Sequence, residues 1–167
     1  MDNIFSRRSI RRYSDRPVAA ETVDRLLAAA MAAPSAGNQQ PWQFLVIRER
    51  ATLDAITTIH PHSLMLRQTP LAIVVCADQS RSKYPVDFWV QDCAAATENI
   101  LLAATAAGLG SCWLGVHPMR ERVEAFSRLL GLPAGITPFA AVAIGYAAEK
   151  PAPVDRFDKA RIHYEKW

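Results

Sequence analysis

The sequence lacks the short signatures that reveal the chemistry of many enzymes of this size. Glycine occurs at only seven positions, and they form no Gly-x-x-x-x-Gly-Lys and no Gly-x-Gly-x-x-Gly. A P-loop and a dinucleotide-binding fingerprint are both excluded as phosphate grips. Gly108-Leu109-Gly110 lacks the third glycine and follows a helical run, so it reads as a helix stop. No Gly-x-Ser-x-Gly elbow presents a serine nucleophile. Cysteine is scarce: Cys76, Cys93 and Cys112 lie far apart, with no Cys-x-x-Cys pair. A disulfide framework is not expected, and the thiols fit a reducing, cytoplasmic setting. All three stand in apolar runs, where a thiol is buried and inert rather than nucleophilic. His60, His62, His117 and His163 have no metal-ligand spacing and no supporting carboxylate or cysteine cluster, so no metal is expected. The longest apolar run carries Asp92, Glu98 and Asn99, which argues against a membrane span. Met1 leads straight into polar residues, so no leader peptide is expected. Internal repeats, low-complexity stretches and linkers are missing too.

What remains is an ordinary globular composition, 167 residues with 50% hydrophobic and 21% charged side chains. That length predicts a single domain, residues 1–167, with a real core. The net charge is only +3, yet Arg7, Arg8, Arg11, Arg12 and Arg16 place five of the nineteen Lys and Arg residues in one short segment. The rest is mixed in sign, so a general nucleic-acid face is not indicated.

Periodicity divides the chain into helices and short strands. Asp2 to Ser6 reads as one helical turn, followed by the basic strip with Ile10 and Tyr13 as its apolar points. Val23, Leu26, Leu27, Ala30 and Met31 recur at helical spacing between about Ala20 and Ala33, where Pro34 stops them. Strands are predicted at Gln43–Arg48, Leu71–Ala77, Gly110–Val116 and Phe139–Tyr146, the second apolar enough to be covered on both faces. Helices are predicted at Arg50–Ile59, Val90–Ala107 and Arg120–Leu130, with Gly108 and Gly131 ending the last two. The alanine-rich Val90–Ala107 helix is apolar nearly all round, and its small side chains let another helix come close, a second subunit included. Beyond Ala147 the chain is charged yet ends in Tyr164 and Trp167, as a docked tail would. Helices alternating with four strands fit an α/β or α+β sandwich, with strand order undetermined.

Two segments carry ligand chemistry. Arg7, Arg8 and Ser9 bring charge, forked donors and a hydroxyl within three residues, which fits either a phosphate clamp or a solvated basic segment, as charge runs usually are. Ala33-Pro34-Ser35-Ala36-Gly37-Asn38-Gln39-Gln40-Pro41-Trp42 is stiffened by prolines at both ends, and Gly37 and Asn38 tolerate positive φ. Between the prolines stand four side chains that both donate and accept hydrogen bonds, more polarity than a simple turn needs.

Arg7-Arg8-Ser9-Ile10-Arg11, followed by Pro34 to Trp42, resembles the nitroreductase family of FMN-dependent oxidoreductases, whose signatures run Arg-x-Ser-x-Arg/Lys and Pro-Ser-small-x-Asn-x-Gln-Pro-Trp. The likeness continues through Trp89-Val90-Gln91-Asp92, Asn99 to Ala104, Gly108-Leu109-Gly110 and Trp113-Leu114-Gly115, so it covers essentially the whole chain. It implies an α+β fold with a central mixed or antiparallel sheet of four to five strands covered by helices. It also implies a homodimer whose C-terminal extension, residues 146–167, docks on the partner subunit.

By motif position the resemblance assigns the FMN phosphate to Arg7, Arg8 and Ser9, and the flavin's pyrimidine edge to Arg11, where a fixed cation stabilises the negative charge of reduced flavin. Pro34, Ser35, Ala36 and Asn38 would line the flavin from the opposite chain, with Gln40 nearby. Leu114 and Gly115 match the place where backbone amides meet the ring. Of two basic residues that the family often carries near the C-terminus, Arg156 fits the second, whereas the first falls on Val154. The implied activity is a ping-pong NAD(P)H oxidoreductase acting on small electron-poor acceptors such as nitroaromatics, quinones or enones, with the chemistry on the cofactor. No protein acid or base is assigned; Arg11 and Gln40 are candidates for polarising groups. The alternative is a flavin- or nucleotide-binding sensor or carrier without turnover.

Overall fold

Two strands that are apolar on both faces force the rest of the chain into layers. In the computed structural model, which describes residues 2–167, these are β2 (Leu71–Asp78) and β4 (Ile136–Gly145). Met1, on which the expectation of no leader peptide rests, lies outside the described residues. With β1 (Trp42–Ile47) and β3 (Gly110–Gly115) they make a four-stranded sheet in the order β1-β2-β4-β3. Every pairing is antiparallel. The expected mixed or antiparallel sheet of four to five strands is thus narrowed to the antiparallel, four-stranded case.

Alternation along the strands makes two cores. Leu71, Ile73 and Val75 of β2 and Val142 and Ile144 of β4 point to one face, with Trp89, Cys93 and Ile100. Ala72, Val74 and Cys76 point to the other face, with Leu53, Ile56, Leu66 and Phe126. The first face is covered by α2 (Ala20–Met31) and α4 (Phe88–Ala106), the second by α3 (Arg50–Ile59) and α5 (Arg120–Leu130). The alanines of α4 let α2 lie against it, and Asn99 Nδ2 donates to the Ala29 carbonyl at 2.9 Å. Gly131 ends α5 in the left-handed region at φ +61°. A short α1 (Asp2–Ser6) precedes the basic strip.

The expected elements are all present, with ends that differ by a few residues. Ser63 to Gln68, which carries no clear period, contains a 3₁₀ turn at Leu64–Arg67, and the polar Asp78–Tyr84 loop contains another at Gln79–Arg81. All three cysteines are buried and free. Burial pushes Cys76 and Cys93 up to about 12 and raises Cys112 as well, so the expectation of inert thiols holds. Among the described residues no helix is long and apolar enough to cross a membrane, and no His, Cys, Asp or Glu group could hold a metal.

The sheet tolerates no side chain where β4 meets the chain before β2. A Cβ on Gly145 would stand 2.7 Å from Pro70 Cδ and 3.0 Å from Tyr13 Cδ1. Gly145→Ala should cost about 1–3 kcal/mol through overpacking, read as a lower urea midpoint at an unchanged slope.

Candidate functional site

The basic strip is displayed by two buried anchors. Ile10 and Tyr13 are 6% and 5% exposed, and the Ile10 amide donates to the Ser111 carbonyl at 2.9 Å. The Tyr13 hydroxyl donates to the Ile10 carbonyl at 2.6 Å, and burial raises its pKa far above the ordinary phenol value. Because Ile10 and Tyr13 turn inward, the arginines between and before them turn outward. The Glu149 carboxylate accepts from the Arg11 and Arg12 amides, fixing the strip against the chain that leaves β4.

One surface depression collects Arg7, Arg8, Ser9, Arg11, Pro151 and Arg156. Arg156 arrives there from the C-terminal segment. Arg8 donates to the carbonyls of Phe5 at 2.8 Å and Ala152 at 3.2 Å, which sets its guanidinium in place. Arg7 Nε lies 3.4 Å from the Glu98 carboxylate of α4. Arg16 goes elsewhere, 3.9 Å above the Tyr146 ring. Val154 lines a neighbouring depression with Ile4, Phe5 and Phe157, beside Arg8 and Arg156, and brings no charge of its own to the cluster. Four guanidinium groups and a hydroxyl form a donor set suited to a phosphate dianion.

Arg11 also lines a second depression, with Pro61, His62, Leu64 and Met65. The arginine cluster and the loop after α3 therefore meet at Arg11. Beside them runs the open edge of β3, whose Ser111 pairs with Ser9. In an antiparallel ladder successive residues point their backbone groups alternately to the partner and away. Val116 donates to Phe139 and Ser111 accepts from Ile10. That alternation turns the Gly115 amide to the open edge and the Leu114 amide into the ladder with Ala141. A Cβ on Gly115 would meet nothing of this chain within 4 Å, so the space beside its backbone is free for a ligand.

The Pro34–Trp42 loop lies apart: among the described residues no hydrogen bond joins it to the arginines of the cluster. It is built on a buried carboxylate. Asp92 of α4 is 4% exposed and accepts from the Ala36 amide at 2.9 Å and from Gln39 Nε2 at 2.7 Å. Gln39 Oε1 in turn accepts from the Lys83 amide at 3.0 Å. Gly37, Asn38 and Gln40 all have positive φ, at 54°, 52° and 48°. Glycine suits the positive φ of Gly37, and a Cβ there would stand 2.6 Å from the Tyr84 hydroxyl oxygen, which would have to swing aside. Ser35 Oγ accepts from the Gln40 amide, and Gln40 Nε2 donates back to Asn38 Oδ1, each at 3.0 Å. Pro34, Asn38 and Gln40 are exposed, while Ser35 and Ala36 are half-buried.

Sequence reading passed over Gln39 and Asp92 as structural residues. The signal available was a carboxylate flanked by the apolar, alanine-rich residues of a mostly apolar helix. His60 was also passed over. It is 2% exposed, accepts from the His62 amide at Nδ1, and so carries its proton on Nε2, which donates to the Gly115 carbonyl at 2.9 Å.

Asp92→Ala strands the part-buried Ala36 amide and the buried Gln39 side-chain amide and should cost about 2–4 kcal/mol in urea denaturation; Asp92→Asn, which keeps one acceptor, should lose less. Burial, above all, lowers the His60 pKa, with Arg122 and His62 adding to the effect. The unfolded chain then takes up the proton first. The stability this imidazole contributes is complete above about pH 6.5 and falls as the pH drops from there towards the lowered folded value. His60→Gln should flatten that part of the profile, as urea midpoints at pH 7.5 and 5.5 would record.

A family model described as Nitroreductase family matches residues 4–146. A protein of Archaeoglobus fulgidus, provisionally named NADH dehydrogenase/NAD(P)H nitroreductase, is 52% identical over 98% of this chain and 96% of its own length. The crystal structure of a provisionally named NADH oxidase from Clostridium acetobutylicum superposes with a TM-score of 0.95 at 44% identity, covering 99% of this chain and 100% of the other. A provisionally named nitroreductase from Desulfovibrio desulfuricans, solved in complex with FMN, has a TM-score of 0.85 at 33% identity, covering 99% and 96%. The chain belongs to the nitroreductase family.

Proposed function

We propose that the protein is an FMN-dependent NAD(P)H oxidoreductase whose flavin lies along the open edge of β3. The observation that carries this reading is the convergence of Arg7, Arg8, Ser9, Arg11 and Arg156 at the Ser111 end of that edge. Ser111 and Gly115 are four residues apart, roughly 13 Å at the rise of an extended strand. That is a suitable span for a ribityl phosphate leading to a flavin ring. The family membership and the FMN complex of the Desulfovibrio relative support the same assignment.

In this reading the arginine cluster and Ser9 hold the phosphate, and Arg11 marks the passage to the ring. The Gly115 amide donates to the ring's edge. Bound FMN supplies a centre that takes a hydride from NAD(P)H and passes electrons to a nitroaromatic, quinone or enone in a ping-pong sequence. The protein's part is to bind, orient and place positive charge; Arg11 and Gln40 are the candidate polarising groups, and no side-chain nucleophile is required.

The Pro34–Trp42 loop forms the other half of the site, facing the arginine cluster of a second copy in a homodimer. Its separation from the arginines within one chain supports this. So do the half-buried Ala94, Ala95, Leu102 and Ala103 on α4. Residues 146–167 dock on the partner, which gives Phe157, Tyr164 and Trp167, 71%, 81% and 100% exposed here, an apolar surface to cover.

The purified protein should be yellow or take up FMN. Under anaerobic conditions NADH or NADPH should bleach the flavin, and a quinone or nitroaromatic should restore it. Flavin that stays oxidised with every donor would favour a sensor or carrier instead. Arg7→Ala removes a charge-assisted contact worth about 1.5–3 kcal/mol, or roughly tenfold to hundredfold in FMN affinity. An unchanged flavin fluorescence titration would count against the clamp.

A further inference from the structure

The Gly115 carbonyl raises a problem for any ligand on this edge. In an extended strand the amide and carbonyl of one residue point to the same side, so beside the outward Gly115 amide stands an outward acceptor. A flavin ring offers acceptors along its pyrimidine side, and a bare carbonyl there would repel them. The structure closes that acceptor from two directions. His60 Nε2 donates to it at 2.9 Å from the end of α3, and Arg122 Nη1 donates at 3.0 Å from the first turn of α5. Both lone pairs are then used, and a guanidinium charge is brought to the back of the peptide.

His60 is held for this task. Its ring stands edge-on to Phe126, with centroids 6.3 Å apart, and the His62 amide occupies Nδ1, so the proton sits on Nε2. The loop that follows His60 lines the depression shared with Arg11. His60 thus stands directly behind the wall of the candidate site, and Arg122 meets it on the same carbonyl.

We propose that His60 and Arg122 are positioning residues for bound FMN: they mask the Gly115 carbonyl, leave the edge a net donor, and through the Arg122 charge favour reduced over oxidised flavin. This rests on the FMN reading above. Electrostatics gives the direction, because reduction adds negative charge to the ring and a nearby fixed cation in a partly desolvated wall stabilises it.

The test is the midpoint potential of FMN bound to the full-length protein, with a urea midpoint on each variant as the folding control. Arg122→Met should lose roughly tenfold more affinity for reduced than for oxidised flavin, a fall of about 30 mV for a two-electron couple. Arg122→Lys, which keeps the charge, should recover most of it. His60→Gln, which keeps a donor, should hold the wild-type potential, whereas His60→Leu should bind FMN several-fold more weakly. If Arg122→Met does not fold, Arg122→Gln replaces it, with the same fall expected. Lowered stability with an unchanged potential means a merely structural role and overturns the proposal, as do equal falls in the Lys and Met variants. A wild-type chain that takes up no FMN overturns the underlying reading as well; a loaded wild type with insensitive variants overturns this proposal alone.

Discussion

An edge strand must do something with its unpaired amides and carbonyls, and in this protein that requirement shapes everything around β3. One end of the edge is covered by the basic strip, which lays Ser9 against Ser111 and donates the Ile10 amide. The other end is met by His60 and Arg122 on the Gly115 carbonyl. Between these two closures the backbone stays open. The N-terminal segment, the end of α3 and α5 are far apart in sequence, yet each gives a donor to one six-residue strand. Had β3 been an interior strand, its ladder would have consumed the same groups and the arginines would have had no edge to stand beside.

The opposite side of the molecule follows a different rule. There a buried carboxylate does the organising. Asp92 sits in a helix that is otherwise nearly free of charge on its buried face, and its two oxygens turn a proline-bounded loop into a fixed wall. A loop with Gly37, Asn38 and Gln40 all in the left-handed region has no regular ladder to hold it. Side chains therefore supply the partners that secondary structure would otherwise provide.

Much of this was legible in the sequence because it is local. Helical spacing, Pro34, Gly131 and the apolar run Leu71–Ala77 locate elements within a few residues, since each depends on neighbours in the chain. The basic cluster was legible for the same reason, as Arg7, Arg8 and Ser9 are adjacent. What could not be read was pairing over long separations. Strand order depends on which apolar faces meet, and β2 and β4 are equally apolar on both sides. Asp92 looks like an interruption of an apolar helix until Ala36 and Gln39 are seen beside it. His60 looks like a turn residue until Gly115 is. Val154 departs from the two-basic-residue pattern, and the fold gives it an apolar setting: it lines a depression with Ile4, Phe5 and Phe157, beside Arg8 and Arg156.

The glycines of β3 and β4 answer to different masters. An added methyl at Gly110 would strike Ile10 and at Gly145 would strike Pro70 and Tyr13, so a larger residue at either site costs the architecture stability. At Gly115 the same methyl meets no atom of the chain, and the architecture is indifferent to it. Selection for foldedness is blind at that one position, and only selection for whatever occupies the neighbouring space can see it. Among descendants of this chain, a larger residue there would keep the scaffold while filling the space beside the open edge.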